Sequence, residues 1–167
     1  MILKYKIIVL YNMFLCVNET NYESNNIIFS QKIKNNIIAN GYFHKMYYSD
    51  RYFTSNGLLF LFSLKDVSVE NYFNRIKCAF CKKKNKEILL TIKKLEHTIL
   101  SNFNDKYLRS IYRIEEQLRN EYIKIFSDKK FQRVKVAKLE ILLKISGIWS
   151  NDRECGITFR FLVNHSN

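Results

Sequence analysis

Two stretches near the end of the chain restrict its fold more than anything else in the sequence. Leu139, Ile141, Leu143 and Ile145 alternate with Lys138, Glu140, Leu142, Lys144 and Ser146, and Ile157, Phe159, Phe161 and Val163 alternate with Thr158, Arg160 and Leu162. Successive side chains of a strand point to opposite faces, so a sustained period of two specifies a strand with one face committed to a core. The polar segment Ser150-Asn151-Asp152-Arg153 lies between the two and suits a reversal. A C-terminal antiparallel hairpin follows, and the rest of the chain has to cover its apolar face.

Upstream the signals are mixed. Tyr42 to Tyr48 is rich in aromatics, and Leu58 to Leu64 is a nearly continuous apolar run entered through Ser55-Asn56-Gly57. An Asn-Gly step suits a tight turn with positive φ, so Tyr52 to Leu64 reads as a hairpin whose second strand is buried. Ser68 is placed to cap a helix in which Val69, Tyr72, Phe73, Ile76 and Phe80 recur at helical spacing. A basic loop, Lys82 to Lys86, separates it from a second helix defined by Ile88, Leu89, Ile92, Leu95, Ile99 and Leu100. Asn104 or Asp105 would cap a third, with Leu108, Ile111, Tyr112, Glu115 and Leu118 along one side and a Glu115–Arg119 pair one turn apart. Tyr122 to Phe126 alternates as a strand. No repeat, linker or low-complexity segment divides residues 1–167, a length that suits one domain able to bury roughly two-thirds of its unfolded surface. The expected fold is α+β: a mostly antiparallel sheet or small partly open barrel, with about three helices in the middle of the chain.

The formal charge is +13, from 28 Lys and Arg against 15 Asp and Glu. Such an imbalance points to polyanions, either nucleic acid or an anionic membrane surface. Abundant Asn, Lys and Ile with no Pro are also what AT-rich coding produces, so part of the excess carries no message. Clustering carries more. Arg75, Lys77, Lys82, Lys83, Lys84, Lys86, Lys93 and Lys94 face only Glu87 between Asn74 and Lys94, and Lys124, Lys129, Lys130, Arg133, Lys135 and Lys138 form a second group.

Motifs for familiar chemistry are absent. There is no glycine-rich phosphate loop, nucleophile elbow, paired-histidine metalloprotease motif or EF-hand loop, and four glycines leave little room for such loops. His44, His97 and His165 are scattered, and the acid–lysine pairs Glu121/Lys124 and Glu140/Lys144 lack the spacing of a strand-borne metal nuclease. Cys78-Ala79-Phe80-Cys81 is a C-x-x-C, but Cys16, Cys155 and His97 come singly where zinc needs four ligands, so the cysteines read as small hydrophobes in a reducing compartment. No catalytic residue, metal or cofactor is expected. Lys4 and Lys6 precede an apolar run, Ile7 to Val17, too short to span a bilayer and followed by no small-x-small site; it reads as a buried first element, with a signal-peptide core as the alternative. The sequons Asn18-Glu19-Thr20 and Asn164-His165-Ser166 are at chance frequency for so Asn-rich a chain. The expected location is intracellular, with no membrane partner, and the sequence sets no oligomeric state.

Basic and aromatic residues interleave on two expected strands: Phe43, Lys45 and Tyr47 share one face, as do Tyr122, Lys124 and Phe126. Flat rings stack on unpaired bases while ammonium groups neutralise phosphates, so such a face suits single-stranded nucleic acid; the alternative is buried rings with lysines reaching out to solvent. The candidate contacts are Lys45, Tyr47, Lys82, Lys83, Lys84, Tyr122, Lys124 and Trp149.

Leu143-Lys144-Ile145-Ser146-Gly147-Ile148-Trp149, the polar turn and Gly156-Ile157-Thr158-Phe159-Arg160-Phe161 together resemble the C-terminal hairpin of small proteins encoded by AT-rich large DNA viruses of insects. Some of those proteins are similar to single-stranded DNA-binding proteins. The resemblance covers about a sixth of the chain and implies a viral, non-enzymatic single-strand binder. Two other readings stand beside it: a structural or host-interaction protein whose charge is incidental, and a secreted or membrane-associated factor using its N-terminal apolar run.

Overall fold

The computed structural model describes residues 9–163, apart from 12–13, 36, 38–39, 104 and 127–132. Lys4, Lys6 and the start of the apolar run, the Asn104 cap, Lys129, Lys130 and the Asn164 sequon lie outside the described residues. The chain is mixed α and β with strands dominating. In order, its elements are β1 (Val9–Tyr11), β2 (Phe14–Cys16), β3 (Ile27–Phe29), β4 (Ile33–Asn35), β5 (Gly41–Ser49), β6 (Thr54–Asn56), β7 (Leu58–Tyr72), β8 (Arg75–Phe80), α1 (Lys82–Phe103), β9 (Arg109–Ile111), α2 (Arg113–Arg119), β10 (Tyr122–Phe126), β11 (Val134–Ser150) and β12 (Glu154–Val163).

The C-terminal hairpin forms as its alternation requires. β11 and β12 pair antiparallel from Ile141↔Val163 to Ser150↔Cys155, with a bulge between Ile145 and Gly147. β7 pairs with the other edge of β11, β8 with β7, and β10 with β8, all antiparallel. β10 then meets β12 in a parallel pair at Ile125↔Phe161. The sheet therefore closes on itself as five strands in the order β7-β8-β10-β12-β11, so the expected partly open barrel is a closed one. Closure removes both long edges, which would otherwise recruit other strands. Leu58, Phe60, Phe62, Ile76, Cys78, Ile123, Ile125, Leu143, Ile145 and Phe161 are buried within it. β5 joins beyond the end of β7, pairing with β11 from Gly147↔Lys45 to Ser150↔Tyr42, and carries β3, β4 and β6. Val17, at the end of the N-terminal apolar run, is buried and exchanges backbone hydrogen bonds of 2.8 Å with Leu59 and Leu61.

Three sequence expectations are corrected. The helix expected over 69–80 is the β7–β8 hairpin. Val67 and Val69 point inward before the turn, and Ile76, Cys78 and Phe80 after it. The two-residue turn Phe73-Asn74 moves the inward set from odd to even positions, and that phase change imitates helical spacing. The second expectation, the Asn56-Gly57 hairpin, fails differently. Gly57 has φ 91, and an added Cβ would lie 2.4 Å from the Ile145 carbonyl oxygen, so glycine is required. The residue marks a kink between β6 and β7, however, while the reversal lies at Asp50–Phe53, where the Asp50 carboxylate accepts the Tyr52 and Phe53 N–H groups.

The third concerns the helices, of which the described residues hold two α-helices rather than about three. α1 starts at Lys82, so the expected basic loop is its first turn. Asn85 is buried there, accepting the Lys65 N–H and donating to the Lys65 and Cys81 carbonyls. The last expected helix shortens to α2, because residues 109–111 pair with β12 as a parallel strand. Its N-terminus is capped from α1 rather than from Asn104 or Asp105: the Glu96 carboxylate, fully buried, accepts the Ile114 N–H at 2.9 Å and the Glu115 N–H at 2.7 Å. No helix among the described residues is long and apolar enough to cross a membrane.

Candidate nucleic-acid interface

The barrel's strand registers align cations that are far apart in sequence. Lys77 on β8 stands opposite Lys124 on β10. The Ile125↔Phe161 pair puts Lys124 level with Arg160 on β12, and Arg160 stands opposite Lys144 on β11. Their strand neighbours Ile76, Cys78, Ile123, Ile125, Leu143, Ile145 and Phe161 are buried and Phe159 is partly buried, so all four point outward. They form one row across four adjacent strands, about 14 Å along the sheet. Like charges opposite one another on neighbouring strands cost stability. Little offsets that cost within the chain: Lys77 meets Glu70 at 3.6 Å, while Lys124, Lys144 and Arg160 have no carboxylate partner among the described residues.

Aromatic rings flank one end of the row. The Lys77 ammonium lies 5.2 Å from the centre of the Tyr122 ring, and Lys124 lies between Tyr72 and Tyr122 at 5.0 and 5.6 Å. Tyr72 is 40% exposed and packs edge-on against Phe73, which is 91% exposed at the hairpin tip. Phe73 also has φ 54, a left-handed conformation that a bulky side chain rarely adopts. The chain therefore bears a backbone cost at this tip, where the ring is open to solvent.

Of the residues singled out from sequence, Tyr122 and Lys124 sit at the centre of this patch. Lys82 begins α1 next to it, its N–H donated to the Glu121 carboxylate at 3.0 Å. Lys83 and Lys84 do not join the row. They line a separate cleft of about 880 Å³ with Lys65 and Lys86, and Lys84 is tied to Asp66 at 2.5 Å. Lys45 and Tyr47 lie on β5, on the far side of β11 and β12 from Tyr122. Lys45 is exposed and keeps the outward orientation expected from alternation. Trp149 is half-buried, with its indole across Gly156, where an added Cβ would come within 2.8 Å of the ring; Phe43 covers Gly147 in the same way. These two rings fill the space left by glycines and pack the sheet.

Sequence reasoning passed over Tyr72, Phe73, Lys77, Lys144 and Arg160 as contacts. Tyr72 and Phe73 read in sequence as the apolar face of a helix where the structure has a hairpin, and Lys77 as one member of a basic cluster. Alternation did place Lys144 and Arg160 on the polar face, but register alone brings them level with Lys124.

The cysteines play no part in the patch: Cys16, Cys78 and Cys155 are buried, and burial pushes the Cys78 thiol up to about 12. The described residues contain no group of three or more His, Cys, Asp or Glu able to hold a metal ion. Comparison with protein-family models, curated proteins and solved structures gives no match.

Proposed function

We propose that this protein binds single-stranded nucleic acid, DNA or RNA, on the outer surface of its barrel without performing chemistry on it. The observation that carries the reading is the aligned row Lys77, Lys124, Arg160 and Lys144, with Tyr72, Phe73 and Tyr122 at one end. An anionic backbone laid across the strands meets a cation at each step, while the rings offer surfaces on which unpaired bases stack for about 1–3 kcal/mol each. A duplex keeps its bases stacked on each other and gains only the charge contribution. Five-stranded Greek-key barrels are also a recurrent platform for oligonucleotides and oligosaccharides, an analogy of architecture that supports the reading without assigning residues. The row lies on a curved surface, so the bound strand follows the barrel's circumference.

Fluorescence anisotropy with labelled single-stranded and duplex oligonucleotides at two salt concentrations tests this. The expected result is tighter binding to the single strand, weakening steeply as salt rises. Absence of binding at low salt, or an affinity indifferent to salt, would overturn the reading.

A further inference from the structure

A second surface, built from the helices, has different chemistry. α1 and α2 pack side by side and leave a groove of about 260 Å³ between them. Leu89, Leu90 and Leu118 form its floor, and Leu90 is 47% exposed although it lies in the middle of a 22-residue helix. About half of that side chain stays in water beside the two other leucines. The rim is cationic. Lys82, Lys86 and Arg119 stand round the floor, none with its charged side-chain group in an ion pair among the described residues. Lys93 and Glu115 also line the groove and engage each other at 2.7 Å, which leaves Lys82, Lys86 and Arg119 as its excess positive charge.

An aliphatic floor offers no flat ring for a base to stack on, and its volume matches one or two bulky side chains rather than a nucleotide chain. We infer that the α1–α2 groove docks a short acidic peptide segment of a partner protein, which seats Leu or Phe side chains on the three leucines and places carboxylates against Lys82, Lys86 and Arg119. Apolar anchors in a groove bordered by complementary charge are the usual grammar of peptide recognition by helical surfaces. Charge complementarity selects an acidic segment over a neutral one and over a second copy of this strongly basic chain. The groove's floor is separate from the proposed nucleic-acid surface, because none of its floor residues lies on the barrel strands; only Lys82 on the rim stands next to that surface.

A test uses the full chain and a labelled synthetic peptide alternating Asp or Glu with Leu or Phe, beside a control with every Leu and Phe replaced by Ala. The acidic apolar peptide is expected to bind on the order of tenfold more tightly than the control, since each bulky side chain is removed from water. Leu90→Asp, at an exposed position that leaves the core intact, is expected to abolish that preference while oligonucleotide binding stays unchanged. Equal binding of the two peptides would overturn the inference by reducing the groove to a charge effect. So would wild-type affinity in the Leu90→Asp protein, or displacement of the peptide by oligonucleotide. Loss of oligonucleotide binding by wild-type protein with the peptide still bound would sink the nucleic-acid reading alone.

Discussion

At the scale of single residues, the proposed surface gives Tyr122 and Lys124 roles that experiment can separate. The Tyr122 ring lies among the Lys77 and Lys124 ammonium groups, which hold it in place without covering it completely. If it stacks on a base, its ring matters and its hydroxyl does not. Tyr122→Ala is therefore expected to weaken single-strand binding by about tenfold or more, and Tyr122→Phe by far less, in a titration at fixed salt. Equal losses from both would mean that the hydroxyl, not the face, is used. The pair was legible from sequence because two residues on one strand keep their relation whatever the strand joins. Their neighbours were not, because Arg160 lies thirty-odd residues further on and only the parallel contact between β10 and β12 sets it beside Lys124. Trp149 gives the opposite lesson. A lone tryptophan among basic residues resembles a stacking platform, but Gly156 opposite it supplies a bare backbone on which the indole rests.

Among the elements, the β7–β8 hairpin joins the candidate function to a local cost. Its first turn residue, Phe73, occupies a φ that costs a non-glycine residue about 1–2 kcal/mol. Glycine would relieve this, less its own entropy of up to about 1 kcal/mol. Phe73→Gly is expected to raise the melting temperature slightly and to weaken oligonucleotide binding; a lower melting temperature would mean that the ring's contact with Tyr72 stabilises the turn more than strain opposes it. The junction of α1 and α2 carries a second expectation. Burial is the largest influence on Glu96 and raises its carboxyl, outweighing the two N–H groups that favour the ionised form. A carboxyl whose folded pKa lies above its unfolded one binds its proton more tightly in the native state, so stability falls as pH rises from the unfolded value through the folded one. Relative to Glu96→Gln, the wild type should lose stability over that interval in paired thermal melts. A gain would show that the cap bonds outweigh desolvation. Strand alternation, the heptad-like face of α1 and the terminal hairpin were readable in the sequence because each is a local period. The hairpin at Phe73 was not, since a short turn that shifts a period of two by one residue generates apolar spacings close to those of a helix.

For the whole molecule, the total charge of +13 is a poor guide to binding, because it does not tell which cations are paired or which surface the rest occupy. Lys84 is held by Asp66, Lys93 by Glu115 and Arg109 by Glu154, while Lys83 faces a different cleft from the row. What the closed barrel adds is alignment, since only a sheet joined to itself through β10 and β12 makes neighbours of Lys124 and Arg160. Each phosphate neutralised on a single strand releases roughly 0.7 of a counterion. Engagement of the whole row then gives a slope of about −3 for the logarithm of the binding constant against the logarithm of salt concentration. Replacing Lys144 or Arg160 by Ala should reduce the steepness by about 0.7 each, whereas Lys83→Ala and Lys84→Ala, in the longest lysine run of the sequence, should leave it where it was. These slopes distinguish aligned charge from mere quantity of charge. If all four substitutions flatten the dependence equally, the barrel's register has no part in recognition and the polyanion responds to net charge alone.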